Sequence, residues 1–184
     1  MTPILGILAS GMSGNLTPIG DYDSIATITP YTTTTTVVFS SIPSTYQHLQ
    51  LRASTASSAA ANMTIRFNGD TAANYSSHYI SANGATIATG GAANGTYILG
   101  PVVTNTASSY TGIIIDILDY KNTNKDKTMR TIAGQDLNGS SNWLEFDSGI
   151  WYNNTSSAIN SITVNLSGAT FASNSHWALY GIKG

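Results

Sequence analysis

The amino-acid sequence predicts an all-β fold, a jelly-roll-like antiparallel β-sandwich with a short N-terminal arm. Apolar residues recur at every second position, as in Leu49/Leu51 and Met63/Ile65/Phe67, which is the pattern of half-buried strands. Four Asn-Gly pairs supply the positive φ angles that tight hairpin turns require. Thr, Ser and Asn account for 64 of the 184 residues and charged residues for only 9%, a mixture that favours strands and turns over helices.

Further period-two runs predict the positions of the other strands. They lie at residues 25–29, 36–40, 97–99, 127–133, 162–166 and 177–179, and the Asn-Gly pairs are Asn68-Gly69, Asn83-Gly84, Asn94-Gly95 and Asn138-Gly139. No long stretch shows the 3.6-residue period of an amphipathic helix, and only the Ala-rich segment 53–62 is compatible with a turn or two of helix. Short strands with this punctuation are typical of a sandwich or jelly roll.

The segment 112–120 is apolar on both of its faces, which indicates a central strand covered on both sides. With 41% hydrophobic residues, the chain has enough apolar surface for the core of one domain, which is predicted over residues 21–184. The residues predicted to form that core are Leu49, Leu51, Ile65, Phe67, Ile113, Ile115, Ile117, Val164 and Leu179.

The first twenty residues differ from the rest, because they combine a short apolar run with four glycines and carry no charged side chain before Asp21. Two readings stay open: an extra strand or tucked-in tail, and an arm that docks into a neighbouring subunit or particle. In the second reading the docking anchors are Ile4, Leu5, Ile7 and Leu8. The run lacks a preceding Lys or Arg and is far shorter than a membrane span, so it predicts neither a signal peptide nor membrane insertion.

Charge and cysteine content exclude several classes of protein. A net charge of -2 with only seven scattered Lys and Arg residues cannot neutralise a run of phosphates, so no nucleic acid is expected as a partner. A polybasic membrane-surface role is excluded on the same ground. The absence of cysteine excludes disulfide frameworks, thiol catalysis and Cys-based zinc sites.

The sequence offers no conventional catalytic arrangement, and no cofactor or metal is expected. The three histidines, His48, His78 and His176, are far apart and show no ligand spacing. Motifs for nucleophilic, phosphoryl-transfer and dinucleotide chemistry are missing. The carboxylates that could form a glycosidase pair are Asp116, Asp119, Asp136, Glu145 and Asp147, but sequence does not give their separation. Residues 122–126 weakly resemble a calcium loop, and the three neighbouring lysines favour a solvated turn instead.

Aromatic residues lie among Asn and Ser residues at Tyr75, Tyr79, Trp151 and Tyr152. This chemistry can stack on a sugar ring and hydrogen-bond its hydroxyls, so these four are candidate glycan-contacting residues. The competing interpretation, which is the commoner one for sheet aromatics, places them in a core or a subunit interface.

Several sequence blocks follow one another along the chain. They are residues 41–52 (SIPSTYQHLQLR), 66–70 (RFNGD), Asn74-Tyr75 with His78, 116–120 (DILDY) followed by 122–125 (NTNK), 148–151 (SGIW) and 178–184 (ALYGIKG). With these blocks the chain resembles virion structural proteins of tailed bacteriophages, especially those that infect cyanobacteria and marine bacteria. The opening residues 3–10 look like other members as well. The resemblance extends over nearly the whole chain after Asp21.

The resemblance implies a location on the phage particle and supplies no catalytic residues. It predicts a non-enzymatic virion structural protein on the exterior of the phage particle, most simply a capsid decoration or head-fibre component docked through its N-terminal arm to other virion proteins. The alternative is a tail-fibre or tail-tip adhesin that binds host-surface glycans. Aromatic-rich strands with few charges also predict a homo-oligomer, with a trimer favoured.

Overall fold

The computed structural model describes residues 20–105, 109–136, 143–152 and 157–184. Within these ranges the chain forms twelve β-strands and no helix. The strands are β1 (Tyr22–Ile28), β2 (Thr36–Phe39), β3 (His48–Thr55), β4 (Ala61–Phe67), β5 (Tyr75–Ala82), β6 (Ile87–Gly95), β7 (Ile98–Val103), β8 (Thr111–Leu118), β9 (Lys127–Gln135), β10 (Trp143–Trp151), β11 (Ile162–Leu166) and β12 (His176–Ile182). The predicted arm anchors Ile4, Leu5, Ile7 and Leu8 lie outside the described residues.

The strands form two antiparallel sheets of unequal size. The larger has the order β1-β12-β3-β8-β9-β10-β5-β6, and the smaller has the order β2-β11-β4-β7. Since consecutive strands mostly lie in different sheets, the chain crosses repeatedly from one sheet to the other, and only β5-β6 and β8-β9-β10 stay in one sheet. The predicted antiparallel β-sandwich is therefore confirmed.

The core lies between the sheets and is built from one face of each strand. All nine residues predicted for the core are buried, with at most 3% of their surface exposed. The smaller sheet adds Val37, Phe39 and Ile162, and Phe171 packs edge-on against Trp177 with ring centroids 4.9 Å apart. The period-two pattern thus identified the inward face correctly.

The turn or two of helix with which residues 53–62 are compatible does not form. Strand β3 continues to Thr55 and β4 begins at Ala61. The residues between them carry the chain from the larger to the smaller sheet, and their backbone bonds to other loops: Ser57 N–H donates to the Thr104 carbonyl, and the Ala56 carbonyl accepts from Ala172. Of the alanines in this crossing, Ala56 is buried, whereas Ala59 and Ala60 are exposed.

The Asn-Gly pairs have three different roles. Asn83-Gly84 closes the β5-β6 hairpin, with Gly84 at φ +86° and the Asn83 side chain accepting from two backbone N–H groups of the turn. Asn68-Gly69, with positive φ at both residues, leads from β4 into the other sheet. Asn94 has positive φ near the end of β6, and Asn138-Gly139 lies outside the described residues.

Strand β8 is covered on one face only, so the prediction of a strand covered on both sides is wrong. Ile113, Ile115 and Ile117 point into the core, whereas Ile114 on the opposite face is 40% exposed. The four-stranded sheet covers the inner face of the larger sheet, and no described element lies over its outer face. The outward aliphatic residues of β8 therefore belong to a surface.

Candidate interaction surface

The outer face of the larger sheet carries a group of exposed apolar side chains, which we call the apolar patch. Its members are Ile80, Ile87, Ile114, Ile132, Leu144 and Phe146. They come from five adjacent strands, β8, β9, β10, β5 and β6. Monomeric soluble proteins rarely expose a contiguous apolar area of this kind, and where they do it usually marks a binding surface.

The strand register brings these residues together. Ile114 pairs with Ile132, Ile132 with Phe146, and Phe146 with Ile80. This makes one continuous row across four strands, since directly opposed residues have Cβ atoms about 5 Å apart. Leu144 and Ile87 lie in the next row, on either side of Ala82.

Two shallow depressions of about 440 Å³ each give the patch its relief. One lies over Gly112 and Gly134, which pair directly, and is bordered by Ile114, Ile132 and Leu144. The other lies beside Phe146, between His78 and Arg130. Because glycine has no side chain, the paired glycines leave the floor of the first depression low while Ile132 and Phe146 project beside it.

Polar side chains border the patch along one side. Asp116 and Arg130 form a cross-strand pair next to the apolar row, and Asp116 accepts a 2.8 Å hydrogen bond from Gln50. Gln50 in turn accepts from Arg52 at 2.6 Å, and the Arg52 guanidinium lies 5.0 Å from the centre of the Tyr180 ring. The apolar centre thus has an ordered, charged margin.

Two of the four candidate glycan-contacting aromatics are core residues. Tyr75 and Trp151 are 0% and 1% exposed and stack on each other at 6.3 Å. The Tyr75 hydroxyl bonds to Phe67, and the indole N–H of Trp151 donates to Asp70 at 2.7 Å. A glycan role for these two is wrong, because their rings and polar atoms are already engaged inside the fold.

The other two candidates, Tyr79 and Tyr152, are half-buried. The Tyr152 hydroxyl donates to the Asn94 side chain at 2.7 Å, which ties β10 to the end of β6. The Tyr79 ring packs over Gly90, where an added Cβ would lie 2.6 Å from it. The structure does not bring these two tyrosines together with Tyr75 and Trp151 on one open surface, and their glycan role stays a prediction.

Two of the candidate glycosidase carboxylates form a buried acidic pair. Glu145 and Asp147 both point to the inner side of β10, and each is at most 5% exposed. Glu145 accepts from the Trp143 indole at 2.8 Å and from Val102 N–H at 3.2 Å, whereas neither oxygen of Asp147 makes a hydrogen bond of regular geometry to a described residue. Burial, reinforced by the Glu145 carboxylate, raises the pKa of Asp147 to about 8.

The remaining candidate carboxylates do not join this pair. Asp116 faces outward, and Asp119 lies in the β8-β9 loop, where it accepts from Gln47 and Lys125. These hydrogen bonds, first that of Lys125, hold the pKa of Asp119 below its usual range. Among the described residues, no group of three His, Asp or Glu side chains could hold a metal ion.

The predicted solvated turn at 122–126 encloses an internal cation. The ammonium group of Lys127, a residue that is 1% exposed, donates to the backbone carbonyls of Asn122 and Lys125. Burial lowers the pKa of Lys127. The backbone carbonyls of this turn thus bind the chain's own lysine.

Residues from the sequence blocks that carry the family resemblance hydrogen-bond to one another and form two joints between loops and strands. From the first block, Gln47 bonds to Asp119 and His48 Nδ1 accepts from Asp119 N–H at 2.9 Å. In a second joint, Asp70 accepts from Trp151, from Asn74 and from the backbone of Ala72. These residues hold loops against strands, which explains their types without any reaction chemistry.

In comparisons with known proteins, no family model, no curated protein and no solved structure matches the chain. In the described part of the chain, no helix is long and apolar enough to cross a membrane. Sequence reasoning missed the patch as a site, although the double-faced apolar character of residues 112–120 was its signal.

Proposed function

We propose that the chain is a non-enzymatic structural protein of a phage virion, located on the particle exterior as a capsid decoration or head-fibre component. The observation that carries this proposal is the apolar patch on a sandwich whose loops are fixed by internal hydrogen bonds. An open apolar sheet face suits contact with another protein surface and lacks the enclosed polar pocket that small-molecule sites usually have.

Two further points support this role. The sequence blocks that resemble virion structural proteins form the joints of the fold, so the resemblance concerns architecture rather than a reaction site. The buried carboxylates Glu145 and Asp147 are closed off between the sheets, where a dissolved substrate has no access. Within this proposal, Ile4, Leu5, Ile7 and Leu8 attach the protein to the particle.

Immunogold electron microscopy of purified phage particles tests the proposal, with antibodies raised against the purified chain. Gold on the heads is the expected result. Gold on the tail tip would replace decoration by the adhesin alternative, and the absence of gold on particles whose other virion proteins are labelled would overturn a virion role. A glycan-binding screen with Tyr152→Ala as the comparison variant separates an adhesin from a decoration protein, because only an adhesin shows binding that this change reduces.

A further inference from the structure

The apolar patch is large enough to be one half of a protein interface. Its six side chains expose between 40% and 73% of their surfaces, which at roughly 200 Å² per large side chain gives an apolar area of about 600 Å². Each partner in a standard interface contributes about 800 Å². The patch and its polar margin at Arg52, Asp116 and Arg130 together reach this size.

The composition of the patch points to a second copy of the same chain as its occupant. The row Ile114-Ile132-Phe146-Ile80 contains no charged or hydrogen-bonding side chain. Interfaces between unlike proteins that meet transiently are about as polar as ordinary surface, whereas the cores of homodimer interfaces are more apolar. Charges confined to one margin match the polar rim of such an interface.

The shape of the patch suits packing against the same patch of a second copy. Ile132 and Phe146 project at its centre, and the depression over Gly112 and Gly134 lies directly beside them. When two copies face each other, the projecting side chains of one can enter the depression of the other. Two sheets packed in this way lie about 10 Å apart, which is the ordinary spacing of stacked sheets.

From these observations we infer that the outer face of the eight-stranded sheet is a self-association interface, in which the apolar patches of two copies pack face to face around a two-fold axis. A surface that meets its own copy generates a closed dimer. The unit is therefore a pair rather than the trimer that composition favours. This inference goes beyond the virion role and holds or fails independently of it.

Sedimentation equilibrium of the full chain between about 1 and 200 µM tests the inference. The test variant is Ile132→Lys/Phe146→Lys, which places four lysines against one another in the dimer. The matched control is Val38→Lys, because Val38 is 47% exposed on the outer face of the smaller sheet, as Phe146 is on the larger. The parent and the control are expected to be dimers. The dimer dissociation constant of the double variant is expected to be at least 100-fold higher than that of the parent.

A cysteine variant provides a second measurement that does not add charge to the surface. The chain contains no cysteine, so Phe146→Cys and Ile132→Cys each introduce a unique thiol at the centre of the patch. Under mild oxidation at least one of them is expected to form a disulfide-linked dimer, while Val38→Cys, whose thiol lies outside the interface, is expected to dimerise without forming a disulfide link. Circular dichroism confirms that each variant retains the β-sheet signal of the parent.

Several results would overturn the inference. These are a parent that is monomeric at 200 µM, a double-lysine variant that associates like the parent, equal dissociation of the Val38→Lys control, or failure of both patch cysteines to cross-link. A trimeric parent would contradict the two-fold arrangement. If the parent is monomeric and Ile4→Lys/Leu8→Lys in the full chain makes it associate, the N-terminal arm rather than a second copy occupies the patch.

Discussion

Replacing Asp147 by Asn should stabilise the protein at neutral pH. The Asp147 carboxyl is 5% exposed, makes no regular hydrogen bond to a described residue and has a pKa raised to about 8, first by burial and then by Glu145. At pH 7 the folded protein keeps this proton, whereas the unfolded chain releases it near pH 4. Because the folded state keeps Asp147 protonated, the free energy of unfolding at pH 7 is lowered by up to about 4 kcal/mol.

The direction of the pH effect follows from proton binding. Between about pH 4 and pH 8 the folded state holds one proton more than the unfolded state at Asp147, so the free energy of unfolding falls as pH rises. The contribution of this residue is fully favourable below about pH 4 and is lost by about pH 8. Asparagine has nearly the same shape and carries no proton equilibrium, so the variant escapes this loss.

The assay is urea unfolding of the parent and of Asp147→Asn at half-unit steps from pH 4 to pH 9. The two should be equal within about 0.5 kcal/mol at pH 4, and the variant should gain up to about 4 kcal/mol by pH 7, a rise in Tm of roughly 10 °C. Asp126→Asn, the same change in an exposed loop residue, is the control and should follow the parent throughout. In Glu145→Gln the pH dependence should shrink. A variant that is no more stable than the parent at pH 7, or a difference that does not change with pH, would refute the reasoning.

Three further substitutions, one of them with a matched control, test the packing. Ile115→Asp places an unpaired charge at a position that is 1% exposed in the middle of β8, and it should abolish the cooperative thermal transition seen by circular dichroism. Gly149→Ala would bring a Cβ to 2.4 Å from Ile98 of the opposite sheet and should lower the free energy of unfolding in urea by about 1–3 kcal/mol. The control is Gly112→Ala, where the nearest described atom to an added Cβ is 3.9 Å away. Its free energy of unfolding should stay within about 0.5 kcal/mol of the parent's. Tyr75→Phe leaves the buried Phe67 N–H without the hydroxyl oxygen to which it donates and should cost about 1–3 kcal/mol. An unchanged denaturation midpoint would contradict this hydrogen bond.

The inward face of the sandwich could be predicted from the sequence because burial of one face imposes a period of two. Leu49, Leu51, Ile113 and Ile115 follow that period and are buried. The outward face of β8 could not be assigned in the same way. An apolar residue such as Ile114 has the same sequence signature whether it is covered by another layer of its own chain or left exposed, so the sequence alone does not decide between core and interface.

The errors at the candidate site have a related cause. Tyr75 and Trp151 lie among polar residues along the chain, yet their neighbours in space are each other and Phe67. The closeness of Glu145 and Asp147 to each other on one face follows from their i, i+2 spacing once the strand is recognised. Their isolation from solvent depends on β7 of the other sheet, which no local pattern reports.

The positions of β11 and β12 determine when this fold can form. β11 lies between β2 and β4, and β12 lies between β1 and β3, so the two described strands that follow all the others in the sequence occupy internal places in both sheets. Until residues 162–182 have left the ribosome, β1 has no neighbour in the larger sheet and β2 has none in the smaller one. A partly made chain therefore presents open strand edges that can pair with other chains. Folding is expected to be slow, because the pairings of both strands join residues far apart in the sequence, and truncation within β11 or β12 should give aggregates rather than a smaller stable domain.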